Sequence, residues 1–305
     1  VPAAGGETES PQTVRFDAPG PRARRRHAVL TVLGVLMLLA GVVVVLRKMA
    51  AAEQLHGYMW TPFFQVEVWT EYLLPGLLDT VKAAALSVVL AGAFGLIFGM
   101  GRLSEHRLIS WSSGIVVEFF RAVPVLIMMI FMFQVYAVNQ VFESTLNPFA
   151  AVVTALTLYN GSVIAELVRS GVHNLAAGQG EAGLSIGLTR GQTLRAILLP
   201  QALTAMLPSL VSQMVVILKD SALGTVITYT ELLSWSKTLG SAYANTLPAY
   251  IVAAVLFILM NYTLTRFASW VQQRTGRRVA ASGTAVEEVA AGIPPAEPPQ
   301  PVGTR

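Results

Sequence analysis

Long apolar runs broken by short polar words set the layout of this chain. They cover Ala28 to Leu46 and then about 74 to 100, 113 to 136, 149 to 168, 201 to 218 and 247 to 267. About 20 apolar residues in a helix cross the hydrocarbon core of a bilayer, so each run predicts a membrane-spanning helix. The expected fold class is all-α, a polytopic membrane helix bundle with about six spans. With 54% of its 305 residues hydrophobic and 12% charged, the chain belongs to the membrane class.

The polar segments fix the domain layout. Residues 1–21 are rich in Gly, Pro, Ser and Thr, too polar to order themselves, and predict a disordered cytoplasmic tail. Arg22, Arg24, Arg25 and Arg26 then open a first transmembrane helix over 22–48, whose apolar run is too long for a cleaved signal. Residues 49–73 carry Tyr58, Trp60, Trp69 and Tyr72, aromatics suited to the membrane interface, and predict an external loop. A core domain over 74–270 follows, and an Ala, Gly, Pro and Glu-rich cytoplasmic tail over 271–305 is expected to be disordered. Arg102, Arg107, Arg266, Arg274, Arg277 and Arg278 flank the spans, and the net charge of +4 therefore orients the protein, with both termini in the cytoplasm. It is not a nucleic-acid footprint. Gly92, Gly95, Gly99 and Gly101 would let a neighbouring helix approach closely.

The stretch 178–200, GQGEAGLSIGLTRGQTLRAILLP, sets Glu181, Arg190, Gln192 and Arg195 among apolar residues at helical spacing. It is too charged for lipid, and its periodicity predicts short helices on the membrane surface that face another protein. Glu181-Ala182, then Gly187, then Ile197-Leu198-Leu199-Pro200 resembles the cytoplasmic coupling loop of ATP-binding-cassette (ABC) importer permeases. Gly183 departs from that pattern, which has alanine there; on propensity alone glycine weakens the helix by roughly 1 kcal/mol. Further words resemble the same family: Gly76-Leu77 with Thr80, Glu118-Phe-Phe-Arg121 with Pro124, and Lys219-Asp220-Ser221. Tyr159-Asn160-Gly161-Ser162 through Glu166 is similar to the polar amino acid branch, glutamate-uptake permeases of Gram-positive bacteria in particular.

The resemblance implies the type I ABC importer permease fold, with a coupling loop over 171–200 in the core domain. It implies a transport subunit for polar amino acids, glutamate foremost, in the plasma membrane of a bacterium. Its implied partners are an ABC ATPase dimer, a second permease subunit, identical or homologous, and an extracellular solute-binding protein. Glu181, Ala182, Gly183, Leu184, Ile186, Gly187 and Leu188 would meet the ATPase, with Gly187 permitting a sharp turn and Leu184, Ile186 and Leu188 giving apolar contact.

The chain's own chemistry agrees with a transport role. No phosphate-binding Gly-x4-Gly-Lys-Ser/Thr loop occurs, there is no cysteine, and the four histidines are scattered, so neither a catalytic constellation nor a metal or cofactor site can be assembled. Ionisable residues inside spans are functional candidates by default. Arg121, Asn160, Ser162, Glu166 and Lys219 are therefore candidates for the substrate path. Pairing within the bundle accounts for Arg121 and Glu166 nearly as well, and Glu166 lies late in its span, where a structural or gating role fits. A gradient-driven secondary transporter and a non-transporting scaffold are the alternatives; the former does not require an organised polar stretch at 178–200, the latter leaves the charges in the spans unexplained.

Overall fold

The structure is a computed structural model that describes the backbone over residues 20–291 and side chains over 22–270. The chain divides into two compact units, Val1–Gly57 and Tyr58–Arg305. In the first, α1 (Pro21–Ala51) starts with proline in its opening turn, where a missing N–H costs nothing. Its apolar side chains are exposed from Val29 to Leu46, as expected of a surface made for lipid.

In the second unit, the expected external loop is largely helical. A 3-10 turn (Thr61–Phe64), a single turn (Val66–Val68) and a π-helical turn (Trp69–Leu73) run into α2 (Leu74–Arg102), so the candidate span begins at Val66. Three of the four interfacial aromatics are packed: Trp69 Nε1 donates to the Phe63 carbonyl at 2.8 Å, and Trp60 and Tyr72 pack against the buried Phe63, Val68 and Leu73, while Tyr58 is exposed.

The predicted span over 113–136 is two helices, α3 (Arg107–Ala122) and α4 (Val125–Val138), bent by 100°. Proline favours the break. Pro124 has no N–H to continue the ladder and disfavours the helical region for the residue before it, and Val123 is extended with ψ of 125°; Pro124 itself has ψ of 132°.

The bundle is organised on α2 and α5 (Asn147–His173). A Cβ on Gly95 would sit 2.6 Å from Ile164 Cβ, and one on Gly99 would sit 2.8 Å from Val168 Cβ and 3.0 Å from the Ala165 carbonyl. These glycines set the helix separation. Gly92, predicted to share this role, faces open space.

α5 runs on to His173, so the first residues of the 171–200 segment are its last turn. There follow α6 (Ala177–Ser185), a turn at Gly187, one helical turn (Arg190–Thr193), a π-helical turn (Leu194–Leu198) and α7 (Leu199–Asp220). A 3-10 segment (Ser221–Ile227) leads to α8 (Leu232–Ala242) and α9 (Thr246–Ala291). One apolar core joins α2, α4, α5 and α7; a second joins α8 and α9 to residues 60–73. α9 continues to Ala291 where disorder was expected from 271; that stretch is rich in Ala, Gln, Arg and Glu, good helix formers, and the next proline is Pro294. The predicted N-terminal tail lies outside the described residues up to Pro19, as does 292–305. Among the described residues there is no strand, and five helices are long and apolar enough to cross a membrane, six if the bent pair is one span.

Candidate functional site: an exposed elbow and a charge cluster

The elbow is the α6–turn–190s segment. Gly187 has φ of +85°, a left-handed conformation that side chains with a Cβ adopt at a cost, and it reverses the chain between α6 and the next turn. That turn starts with a capping box: Thr189 Oγ1 accepts from the Gln192 N–H at 3.3 Å and Gln192 Oε1 accepts from the Thr189 N–H at 2.8 Å. Glu181, Ala182 and Gly187 are exposed, Leu184 and Ile186 are 44% and 76% exposed, and Leu188 is half-buried. The elbow therefore presents a small apolar face.

Gly183 is the one buried member of the set. A Cβ there would meet Thr193 Cγ2 at 2.6 Å, Thr193 Oγ1 at 2.8 Å and Ile197 Cδ1 at 3.1 Å. Propensity treated this glycine as a weakness, but packing requires it. The elbow is also tied to the turn after α2 by Arg190 Nε and Glu105 Oε1 at 3.2 Å.

The second feature lies where α2, α3 and α5 meet. Arg102 Nη1 donates to Glu166 Oε2 at 2.7 Å and lies 3.1 Å from Glu118 Oε1. Arg169 grips Glu166 side-on, Nη2 to Oε1 at 2.7 Å and Nε to Oε2 at 3.3 Å. Arg121 Nη1 donates to Glu118 Oε1 at 3.3 Å and lies 3.7 Å from Glu166 Oε2. Three guanidiniums against two carboxylates leave a net charge of +1. Arg102, with its side chain 14% exposed, and Glu166, 23% exposed, form the inner pair, and Arg121, 36% exposed, is the loosest cation. Charge-assisted contacts of this kind stitch three helices at one level of the bundle.

The five path candidates do not converge. Arg121 and Glu166 meet in the cluster. Asn160, six residues or about 9 Å along α5 from Glu166, is buried; its Nδ2 donates to the Leu156 carbonyl at 2.9 Å and its Oδ1 accepts from Gln213 Nε2. Ser162 is also buried, and neither faces open space in this conformation. Lys219 is exposed at the far end of α7, about 30 Å along that helix from the elbow. Arg102, Arg169 and Gln213 were not among the candidates. Arg169 carried a signal, three residues after Glu166 on one helical face; Arg102 read as part of a basic turn, and nothing local joins it to a residue 64 positions on.

Residues 91–277, which hold the elbow and the whole cluster, match the family model described as binding-protein-dependent transport system inner membrane component, and the chain belongs to that family. It is 48% identical over 226 residues to the glutamate transport system permease protein GluD of Corynebacterium glutamicum, covering 73% of this chain and 83% of that protein. It is 34% identical to the probable glutamine ABC transporter permease protein GlnP of Bacillus subtilis, covering 67% of this chain and 93% of that one. Among solved structures, an amino acid ABC transporter crystallised with histidines matches with a TM-score of 0.61 at 26% identity, over 68% of this chain and 95% of that one. The methionine transporter MetNI in an inward-facing form matches with a TM-score of 0.58 at 20% identity, over 69% and 99%, which bears on the fold alone.

The protein is thus a multi-pass membrane permease subunit of an amino acid ABC importer, with the type I importer permease fold. It is a transport component and not an enzyme, and binding-protein-dependent transport leaves no place for the gradient-driven or scaffold alternatives.

Proposed function

We propose that this subunit carries an acidic amino acid, glutamate foremost, across a bacterial plasma membrane, driven by a separate ATPase dimer that docks on the elbow. The observation that carries the docking role is the apolar face of Leu184 and Ile186, held on a glycine turn and exposed beside residues that end three spans. The glutamate assignment draws on the 48% identical relative named for glutamate transport. Arg102, Arg107, Arg190 and Arg195 gather at the elbow end, which fits a cytoplasmic elbow with both termini on the same side. A solute-binding protein would then deliver cargo at the opposite end, and a second permease subunit, the same or homologous, would complete the path.

In this reading the charge cluster stands near the cytoplasmic mouth. ATPase closure moves the elbow, and through the Glu105–Arg190 contact moves the end of α2 that carries Arg102. The cluster has one cation in excess, and Arg121, the least tightly paired, is the guanidinium placed to exchange Glu118 for a cargo carboxylate. Rigid-body rocking of this kind needs only two packings of one bundle.

Uptake of labelled glutamate and co-purification of the ATPase test this reading. Glu181→Lys and Ile186→Asp alter exposed positions and should leave the folded subunit in the membrane while lowering both readouts. Gly187→Val should lower uptake, since a β-branched residue resists positive φ, whereas Gly187→Asn should retain most of it. Normal uptake and normal ATPase association in Glu181→Lys and Ile186→Asp together would overturn the docking role.

A further inference from the structure

A cavity of about 890 Å³ opens between the elbow and the ends of α2, α3 and α5; Leu184 of the docking face is part of its lining, but Ile97, Met100, Ile109, Leu198 and Arg195 belong neither to that face nor to the charge cluster. Its lining is mixed. Ile97, Met100, Ile109 and Leu198 give it apolar lining near the ends of candidate membrane spans, and Ser104 and Arg195 give it polar lining. Two histidines, His106 and His173, and the pair Arg190 and Glu105 complete that polar rim. Glu105 is the one carboxylate of the lining and is engaged by Arg190 at 3.2 Å. Arg195 is exposed and has no carboxylate within ion-pair distance among the described residues.

From these observations we propose that the cavity is a binding site for one anionic phospholipid of the surrounding leaflet. The acyl chain lies against Ile97, Met100, Ile109 and Leu198, and the phosphate meets Arg195. Three features select an amphiphile over a soluble anion or a protein segment. The cavity sits where the spans end, and Ile97, Met100, Ile109 and Leu198 lie inside the helices while Ser104, Glu105 and His106 lie in or at the turn between α2 and α3, an order that suits tails on the first set and a headgroup on the second. The volume lies within the 300–1,000 Å³ range typical of small-molecule pockets, enough for part of a lipid and too small for a folded partner. The charge of the rim is positive, and basic pockets between membrane helices at the headgroup level are suited to anionic headgroups. This proposal goes beyond the transport reading and holds whichever face of the membrane the elbow occupies. A lipid seated there would brace the elbow against α2, coupling membrane composition to the moving part.

The test uses the full-length chain purified in neutral detergent, titrated with dioctanoyl phosphatidylglycerol, dioctanoyl phosphatidylcholine or inorganic phosphate, with bound molecules counted by native mass spectrometry. Saturable binding of the glycerol lipid is expected, with the choline lipid at least about fivefold weaker. Arg195→Gln should weaken the glycerol lipid about fivefold, the factor that corresponds to about 1 kcal/mol for a basic residue at an anionic surface. Ile109→Trp, which fills the apolar side and leaves the charges alone, should weaken it as well. Equal binding of the two lipids, an unchanged affinity in both variants, or competition by millimolar inorganic phosphate alone would each overturn the proposal. The last outcome would mark a free-anion site, and the first would mark a nonspecific groove or one meant for another protein.

Discussion

Gly183→Ala sets helix propensity against packing. Alanine favours an α-helix over glycine by about 1 kcal/mol, so α6 viewed alone should be stabilised. The new methyl would, however, lie 2.6 Å from Thr193 Cγ2 and 2.8 Å from Thr193 Oγ1, where ordinary contacts begin near 3.4 Å. Thr193 is β-branched and buried, so few rotamers are open to it, and overpacking of this sort costs about 1–3 kcal/mol. The net expectation is destabilisation of the elbow by about 0–2 kcal/mol, read as a lower melting temperature in detergent and reduced uptake.

Thr193→Ala completes the cycle. It removes both clashing atoms and a buried hydroxyl that has no hydrogen-bond partner among the described residues. In the double variant the nearest neighbour would be Ile197 Cδ1 at 3.1 Å, the mobile tip of a side chain. Gly183→Ala should therefore be better tolerated in the Thr193→Ala background than in the parent, with a coupling of about 1–3 kcal/mol, and the double variant should recover stability. A single Gly183→Ala variant more stable than the parent, or additive effects in the double variant, would refute the packing argument.

Two further outcomes follow from the charged groups. Glu166→Gln leaves Arg102, Arg121 and Arg169 with only Glu118 nearby, and the loss should cost about 2–3 kcal/mol, below the range for a fully buried pair because the site is partly wet. Adding Arg169→Gln should return part of that in thermal unfolding; a change under about 0.5 kcal/mol for the single variant would mean that the cluster contributes nothing to the fold. Glu231, outside the spans, is fully buried where it caps α8, its carboxylate accepting from the N–H groups of Leu233 and Ser234 at 2.8 Å each. Burial pushes its carboxyl from the ordinary 4.5 up to about 7, against the pull of those two bonds. The folded state therefore holds a proton that the unfolded state has released, so this contribution is complete below about pH 4.5 and is lost as the pH rises through about 7. Thermal unfolding of Glu231→Gln should lack that part of the pH dependence, and identical slopes for parent and variant would show that Glu231 does not titrate there.

What the sequence determined is local. Apolar runs of membrane length, arginines beside them, and Glu181, Gly187 and the Ile197 to Pro200 word fixed the all-α class, the span count and the elbow's place in the chain. Such signals are carried by residues within a helical turn or two of one another, and a linear pattern holds them. Pro124 lay inside a run read as one span, and proline alone did not decide its break, since Pro208 sits within α7 without ending that helix.

The tertiary structure decided the rest. Arg102 became a partner of Glu166 only because α2 and α5 pack closely on Gly95 and Gly99. Asn160 and Ser162 are buried among packed helices, and Lys219 is at the other end of α7 from the elbow. Gly183, a flaw by propensity, is a contact point, and Glu231, one acid among several in the sequence, is enclosed. Each of these depends on which faces meet across long separations in the chain, and helix packing, not local propensity, chooses those faces.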